Sequence, residues 1–173
     1  SLAQAAFRKI LKSKGIIEDA IAPIDEYQQA LLEEELENAL HRKEQLAEAV
    51  DKMKEVHAKL ASRRLQNLDP SKPVFAVVGA GVAGSAVINE IKKLNPNAQF
   101  VVFDSNPMIG GKILYAIPAF RPRVKLPYLT GKMGIANFLD QEGIYVVPNF
   151  EIGRDISYSD FAKLPFDGVV FSA

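Results

Sequence analysis

The 173-residue sequence contains no cysteine and only two histidines, His41 and His57. Without cysteine it cannot form disulfide bonds, thiolate zinc sites or iron–sulfur clusters, and it has no thiol nucleophile. Basic and acidic residues balance at 21 each, so bulk charge gives no reason to expect a nucleic-acid partner. No apolar run approaches the roughly 20 residues that a membrane-spanning helix needs. These absences leave a folded protein, which we expect in the cytoplasm, with the matrix side of a mitochondrial complex as the alternative.

Residues 1–68 have the pattern of a helical arm, in which a short helix precedes a long amphipathic one. Neither glycine nor proline occurs from 24 to 68, so we predict that the long helix continues to Leu68. Its apolar side must meet another surface: residues 1–14, the second domain, or a protein partner docked on 24–68. His57 lies near this side without a second ligand at helical spacing, which predicts a packed or surface histidine and no metal site. The apolar residues are Leu32, Leu36, Leu40, Leu46, Val50, Met53, Val56 and Leu60.

A linker separates this arm from a region with strand patterns. Residues 69–73 contain Pro70 and Pro73, which bias their predecessors away from helix. The continuous apolar run 74–78 then predicts a buried parallel strand. We therefore predict an α/β fold for 74–173, as a partial Rossmann-type domain with a parallel sheet.

The predicted strand leads directly into Gly79-Ala80-Gly81-Val82-Ala83-Gly84, a complete G-x-G-x-x-G motif. In such a motif Gly79 permits the tight turn, and Gly81 lets a diphosphate approach the backbone. Gly84 lets the following helix pack close to the strand. The motif predicts a dinucleotide site, and a chance glycine turn is the alternative.

The residues after the motif support a dinucleotide site. The N-terminus of a helix over 82–94 would present free amides to the phosphates. Asp104 follows a strand over 100–103, where its carboxylate can accept both ribose hydroxyls. Gly110-Gly111-Lys112 comes where a nicotinamide Rossmann domain usually enters its next helix. In two-dinucleotide flavoenzymes this loop runs under the flavin half of FAD, so the glycine pair favours FAD over NAD; a simple glycine turn is the alternative.

At this point the sequence resembles a known family, the small subunit of NADPH-dependent glutamate synthase. The related dihydropyrimidine dehydrogenase and adrenodoxin reductase-type enzymes share parts of the pattern. The resemblance covers about 73–173 and includes a helix over about 126–141 and strands over 144–147 and 167–173. The residues that carry it are the glycine motif, Asp104, Gly110-Gly111, Tyr115-Ala116-Ile117-Pro118-Ala119-Phe120-Arg121 and Gly153-Arg154-Asp155.

The resemblance implies that FAD lies on the first glycine motif, with contacts from Ala80, Val82 and Ala83 beside the three glycines. It implies that Asp104 and the adjacent Ser105 hold the adenosine ribose. Gly110, Gly111 and Lys112 would lie near the ribityl and flavin region, and Ile117 and Pro118 beside the isoalloxazine. We nominate no catalytic side chain, because the cofactor supplies the redox chemistry.

Three departures from the family limit this function. The absent cysteines exclude the iron–sulfur clusters of the small subunit, and Asp104 replaces the usual glutamate. The sequence has no second G-x-G-x-x-G, so we expect no NAD(P)H site in it. Our first hypothesis is the FAD-binding part of an NAD(P)H-linked oxidoreductase that is incomplete for catalysis alone. The alternative is a non-catalytic accessory subunit that docks through its helical arm; a nicotinamide-only enzyme is disfavoured by Gly110-Gly111.

Overall fold

Four short parallel β-strands form the centre of the computed structural model, which describes residues 26–119, 121–132 and 134–172. The predicted short helix before residue 24 lies outside the described residues. A 3₁₀ turn at Leu65–Asn67 joins the first helix to the first strand. The helices are α1 (Glu26–Ala61), α2 (Val82–Leu94), α3 (Gly111–Tyr115), α4 (Pro122–Leu129), α5 (Ile135–Leu139) and α6 (Tyr158–Phe161). The strands are β1 (Val74–Val78), β2 (Gln99–Phe103), β3 (Ile144–Val147) and β4 (Gly168–Phe171).

The sheet has the strand order β3-β2-β1-β4 and every pair is parallel. Ala76 of β1 pairs with Val101 of β2 on one side and with Val169 of β4 on the other. β2 is buried along its whole length, and after Gln99 its residues form the continuous apolar run expected of a central parallel strand. The predicted α/β class with a parallel sheet behind a helical segment is confirmed.

Both faces of the sheet are covered by apolar side chains. One face packs against α1, α2 and α5, and burying each large aliphatic side chain there contributes about 1.5–3 kcal/mol. The other face holds a smaller aromatic cluster, in which the rings of Phe103 and Phe161 meet edge to face at 5.2 Å. The fully buried residues of the first face include Met53, Leu60, Ile88, Phe100, Ile135, Leu139 and Ile144.

The contacts divide the chain into two units, Ser1–Glu44 and Gln45–Ala173. In the second unit, Leu46, Met53, Val56 and Leu60 of α1 are buried in the core that covers the sheet. This part of the predicted apolar stripe therefore meets the second domain, one of the three surfaces expected for it. In the first unit, other residues of the same stripe are about half exposed, among them Leu36 and Leu40.

The predicted end of the long helix at Leu68 is wrong, since α1 ends at Ala61. The Ser62 hydroxyl donates to the Lys59 carbonyl at 2.7 Å, which competes with the helical bonding pattern. The Arg63 guanidinium donates to the carbonyls of Gln141 and Ile144 at 2.6 and 2.8 Å. These tertiary bonds draw the chain towards the sheet before any glycine or proline is reached.

The single helix expected over 126–141 is also wrong, because two short helices occupy this stretch. α4 ends at Leu129 and α5 starts at Ile135. Between them the Gly134 amide donates to the Gly131 carbonyl at 2.7 Å. A Cβ atom at Gly131 would lie 2.5 Å from the Pro127 carbonyl oxygen, so this close turn depends on a glycine.

None of the described helices is both long and apolar enough to cross a membrane.

Candidate functional site

The glycine motif forms a tight turn between β1 and α2, which we call the glycine turn (residues 79–84). Gly79 has a φ of +107°, a left-handed conformation that glycine adopts without steric cost. Its amide donates to the Phe103 carbonyl at 2.7 Å, so the turn is bound to the end of β2. The turn therefore starts at the carboxyl edge of the two central strands, where ligands of open α/β sheets bind.

Gly84 allows α2 to approach the turn more closely than any other residue would. A Cβ atom there would lie 2.0 Å from the Gly79 carbonyl oxygen and 2.8 Å from the Ser172 Oγ. The first of these contacts is with backbone, which cannot rotate away as a side chain can. α2 thus begins in direct contact with the end of β1.

The first amides of α2 form the hydrogen-bond donors of the site. Ser85 is the first residue of the helix whose amide bonds back, to the Gly81 carbonyl at 3.0 Å. Among the described residues, the amides of Gly81, Val82 and Ala83 have no acceptor. Gly81 is the N-cap and adds no side-chain cap. These amides, at the positive end of the helix dipole, suit an anionic group.

A second segment, the covering loop (residues 105–111), packs on the glycine turn. The Gly110 amide donates to the Ala80 carbonyl at 3.0 Å. Gly110 and Gly111 have φ values of +132° and +53°, so both favour glycine. A Cβ at Gly111 would lie 2.9 Å from the Gly81 Cα. The two glycine segments therefore meet backbone to backbone, which the sequence pattern did not predict.

Asp104 ends β2 as predicted, but its carboxylate faces the glycine turn. Its Oδ2 accepts from the Ala80 amide at 2.6 Å, and its Oδ1 accepts from the Asn106 amide and side chain at 2.8 and 2.9 Å. The residue is only 6 % exposed. A carboxylate offers about four acceptor positions, so three of them already stabilise the turn and its neighbour.

The remaining predicted site residues lie around α3. Ser105 and Lys112 are exposed, next to Asp104 and to Gly111 in the chain. The Lys112 carbonyl accepts from the Ile117 amide at 3.0 Å. This bond lies at the C-terminal end of α3, just after Tyr115. Ile117 is half-buried and Pro118 is exposed. The structure thus joins the glycine turn, Asp104 and the glycine pair by contacts, and places Ile117 and Pro118 at the other end of α3.

Tyr115, the last residue of α3, bonds back to Met108 in the covering loop. Its hydroxyl accepts from the Met108 amide at 3.1 Å and donates to the Met108 carbonyl at 2.9 Å. Partial burial raises the pKa of this phenol above its ordinary value, against the effect of the bond to Met108. The hydroxyl therefore stays protonated at neutral pH and retains its role as a donor.

The sequence did not predict the contacts of three residues that support the site. The Ser172 hydroxyl donates to the Val78 carbonyl at 2.8 Å, which ties β4 to the start of the glycine turn. Asn106 bonds Asp104, and its place two residues after an aspartate is a recognisable turn signal. Lys125 is 7 % exposed and donates to the Leu114 carbonyl at 2.9 Å. Ser172 carries no such signal, because its partner Val78 is distant in the sequence. Lys125 carries none either, because a lysine is normally expected at the surface.

The residues of the turn fit the diphosphate of a dinucleotide. The amides of Gly81, Val82, Ala83 and Gly84 lack an acceptor among the described residues, and Gly81 has no side chain to block an approaching phosphate. Val82 is half-buried and Ala83 exposed, so the start of α2 is accessible.

An open cavity of about 470 Å³ lies elsewhere, between α1 and α4, and includes no residue of the turn. In the described part of the chain, no group of three or more histidine, aspartate or glutamate side chains could hold a metal ion.

A parallel sheet whose first strand turns through glycines into a helix is the Rossmann-type arrangement, and the sheet unit is an α/β domain of that class. It is similar in fold to FprA, a Mycobacterium tuberculosis oxidoreductase whose structure revealed a covalent modification of NADP⁺. The TM-score is 0.52 at 12 % sequence identity, over 59 % of this chain and 23 % of that one. At this identity the likeness shows the fold alone.

Several relatives share sequence with this chain. The glutamate synthase [NADPH] small chain of Escherichia coli (strain K12) is 35 % identical over 85 residues, which are 49 % of this chain and 16 % of the relative. The cindoxin reductase of Citrobacter braakii is 28 % identical over 120 residues, 67 % of this chain and 24 % of the relative. The chain thus spans a quarter or less of these proteins. No family model matches the chain. The predicted resemblance to the glutamate synthase small subunit is confirmed as partial similarity over about half the chain.

Proposed function

We infer that residues 74–172 are the dinucleotide-binding part of an NAD(P)H-linked flavoprotein oxidoreductase and that FAD is the dinucleotide. The observation that carries this inference is the set of free amides on Gly81, Val82 and Ala83 at the start of α2. Such amides bind phosphate oxygens directly, and the helix dipole adds to the attraction. The similarity to an NADPH-linked glutamate synthase small chain and to a cindoxin reductase supports a redox role for the bound dinucleotide.

The choice of FAD rests on the covering loop. Gly110 and Gly111 bring backbone close to the glycine turn, where a loop with side chains would clash. Lys112, Ile117 and Pro118 follow the loop and would lie towards the flavin. FAD, when bound, would supply the hydride chemistry. The residues of this chain would bind and orient it, and none is assigned a catalytic role.

Asp104, with Ser105 beside it, would hold the adenosine ribose through the acceptor positions that the turn leaves free. The Asp104 carboxylate has few acceptor positions left for a ribose, because the Ala80 and Asn106 amides already donate to it. A ribose hydroxyl therefore joins an existing network instead of filling an empty acceptor. We expect Asp104 to matter for the shape of the turn as well as for ligand binding.

The chain would not complete the reaction alone. It holds one G-x-G-x-x-G motif and spans 16 % of the E. coli relative. In the proposed enzyme, the NAD(P)H site would therefore belong to a further segment or a partner polypeptide. Flavin reduction by NADPH is then expected only when that part is added.

FAD titration of the purified chain tests the proposed function, with Gly81→Ala as the diagnostic variant. Gly81 has φ −95° and ψ −162°, which any residue adopts, and a Cβ there would make an ordinary 3.6 Å contact with Gly111. The variant should fold, and its methyl group, in contact with Gly111, would narrow the space between the glycine turn and the covering loop that a diphosphate needs. We expect the fluorescence of FAD to be quenched when FAD binds to the unchanged chain. The variant should bind FAD at least about tenfold more weakly, a loss of about 1.4 kcal/mol of binding free energy.

The control for this titration is Ala162→Ser, which adds one heavy atom at an exposed position outside the site with an ordinary helical backbone conformation. It should bind FAD as the unchanged chain does. If the unchanged chain fails to bind FAD, or if Gly81→Ala binds equally well, the proposed function is wrong.

A non-catalytic accessory subunit is the second candidate, and exposed leucines on α1 favour it. Leu31, Leu36 and Leu40 are 44, 51 and 52 % exposed on a helix whose later leucines are buried. Such a row suits a protein partner. A colourless native protein that elutes with a large complex would support this candidate, whereas a yellow protein with releasable flavin would support the first.

A further inference from the structure

Lys125 is a lysine in an unusual position for a charged residue. It lies in α4 (Pro122–Leu129) and is 7 % exposed, although lysine is almost never fully buried unless it is paired. Its ammonium donates to the Leu114 carbonyl at 2.9 Å. Leu114 belongs to the last turn of α3, whose carbonyls have no partner within the helix. A cation at this end of a helix satisfies such a carbonyl and is favoured by the dipole.

A short series of contacts leads from this bond to the glycine turn. The Leu114 side chain packs on Gly110, where a Cβ atom would lie 2.8 Å from the Leu114 Cβ. The Gly110 amide bonds the Ala80 carbonyl at 3.0 Å. Gly111 touches Gly81, with 2.9 Å between its would-be Cβ and the Gly81 Cα. α3 thus connects the ammonium at one end to the covering loop at the other.

We propose that Lys125 is a positioning residue, which holds α3 so that Gly110 and Gly111 stay on the glycine turn. The ammonium acts on the last turn of α3, and Leu114 transmits the constraint to the loop. Its value for ligand binding rests on the proposed function, because the loop would shape the space beside the diphosphate. Lys125 is not assigned a contact with the dinucleotide.

Hydrogen exchange at the Gly110 amide tests this proposal in the full chain without any ligand. Lys125→Met keeps the length of the side chain and removes its charge and donor. We expect exchange at Gly110 to become about ten- to a hundredfold faster, since a hydrogen bond from a charged group is lost. Exchange at the Phe100 amide, bonded to Gly143 within the sheet, should stay unchanged. Lys132→Met, at an exposed lysine seven residues further on, is the matched control and should change neither amide.

Two further variants keep the test decisive. Lys125→Arg retains a charged donor and should preserve the protection of the Gly110 amide. If Lys125 only filled space, the Arg and Met substitutions would have the same effect on this amide. Leu114→Ala breaks the next contact and should free the Gly110 amide even if Lys125→Met does not fold. When both single variants fold, the double variant should add little to either effect, because the two residues act in one series.

Unchanged protection at Gly110 in Lys125→Met, or equal loss at Phe100 and Gly110, would overturn the proposal. So would equal effects of Lys125→Met and Lys125→Arg. FAD titration separates this inference from the proposed function. If the unchanged chain binds FAD, the affinity of Lys125→Met should fall by the factor by which the population of its closed covering loop falls. If it binds none, the proposed function fails, and the exchange data alone decide the role of Lys125.

Discussion

Glycines of the same turn serve different physical purposes. Gly84 lies against the Gly79 carbonyl, with no room for a Cβ, whereas Gly81 has room and an ordinary backbone conformation. The first is needed for folding, and we propose that the second keeps the backbone accessible to a ligand. The motif alone does not separate these two glycines, whereas the distances do.

Substitution of Gly84 by alanine should therefore destabilise the fold far more than substitution of Gly81. We expect Gly84→Ala to lose about 3 kcal/mol of unfolding free energy or to prevent folding, because overpacking against backbone cannot be relieved by a rotamer change. Gly81→Ala should lose under about 1 kcal/mol. Urea denaturation of both variants measures the difference, and equal losses would contradict this account of the turn.

His57 makes the stability of the sheet unit depend on pH. Burial lowers the pKa of its imidazole below the ordinary value of 6.5, and its Nδ1 has no hydrogen-bond partner in the described part of the chain. The unfolded chain therefore binds a proton at a higher pH than the folded one does. The resulting stability is fully present above about pH 6.5, the pKa of the unfolded chain, and is lost as the pH falls below it through the lower pKa of the folded chain.

Urea denaturation between pH 5 and 7.5 tests this role of His57. The unfolding free energy should fall towards pH 5, and His57→Leu should flatten that part of the curve. His41→Leu serves as the control, since it removes the other histidine. A curve of the same slope in His57→Leu and in the unchanged chain would show that His57 does not contribute.

At the scale of elements, uniform apolar runs were the most predictable feature. The runs at 74–78 and 144–147 gave the observed bounds of β1 and β3, because a buried parallel strand needs an apolar residue at every position. The glycine motif likewise placed the start of α2 at Val82. In these places the local sequence and the tertiary structure demand the same conformation.

Helix ends were less predictable where tertiary contacts decide them. Nothing in the local sequence at Ser62 and Arg63 is a strong helix breaker, yet Arg63 bonds two carbonyls near β3 and the helix stops. The break between α4 and α5 had a visible signal in Gly131 and Gly134, which the predicted single helix overlooked. Partners some 80 residues away cannot be read from the residues around a helix end.

The two parts of the α1 stripe should differ sharply in their contribution to stability. Met53 is fully buried in the core, so Met53→Ala should cost about 2–5 kcal/mol through lost burial and the cavity left behind. Leu36 is 51 % exposed, and Leu36→Ala should change stability by no more than about 0.5 kcal/mol. Thermal or urea unfolding of the two variants measures this, and similar losses would show that Leu36 is buried in the folded chain.

At the scale of the whole molecule, the candidate site combines segments that are distant in the sequence. The order of strand, glycine turn, helix, strand and acid predicted which segments form the candidate site, and the structure brings them together at the carboxyl edge of the sheet. The direction of the Asp104 carboxylate could not be predicted, since it depends on the Ala80 and Asn106 donors. Nor could the bond from Ser172 to the end of β1, which forms only when β4 joins the sheet.

The central claim is that the amides at the start of α2 bind the diphosphate of FAD. Amide chemical-shift mapping by NMR, with FAD added to the isotope-labelled chain, tests it most directly. We predict saturable shifts at Gly81, Val82 and Ala83, together with Gly110 and Gly111, and the same shifts at the turn with ADP alone. Saturable binding that leaves these five amides unmoved, or no binding of either nucleotide, would contradict the account.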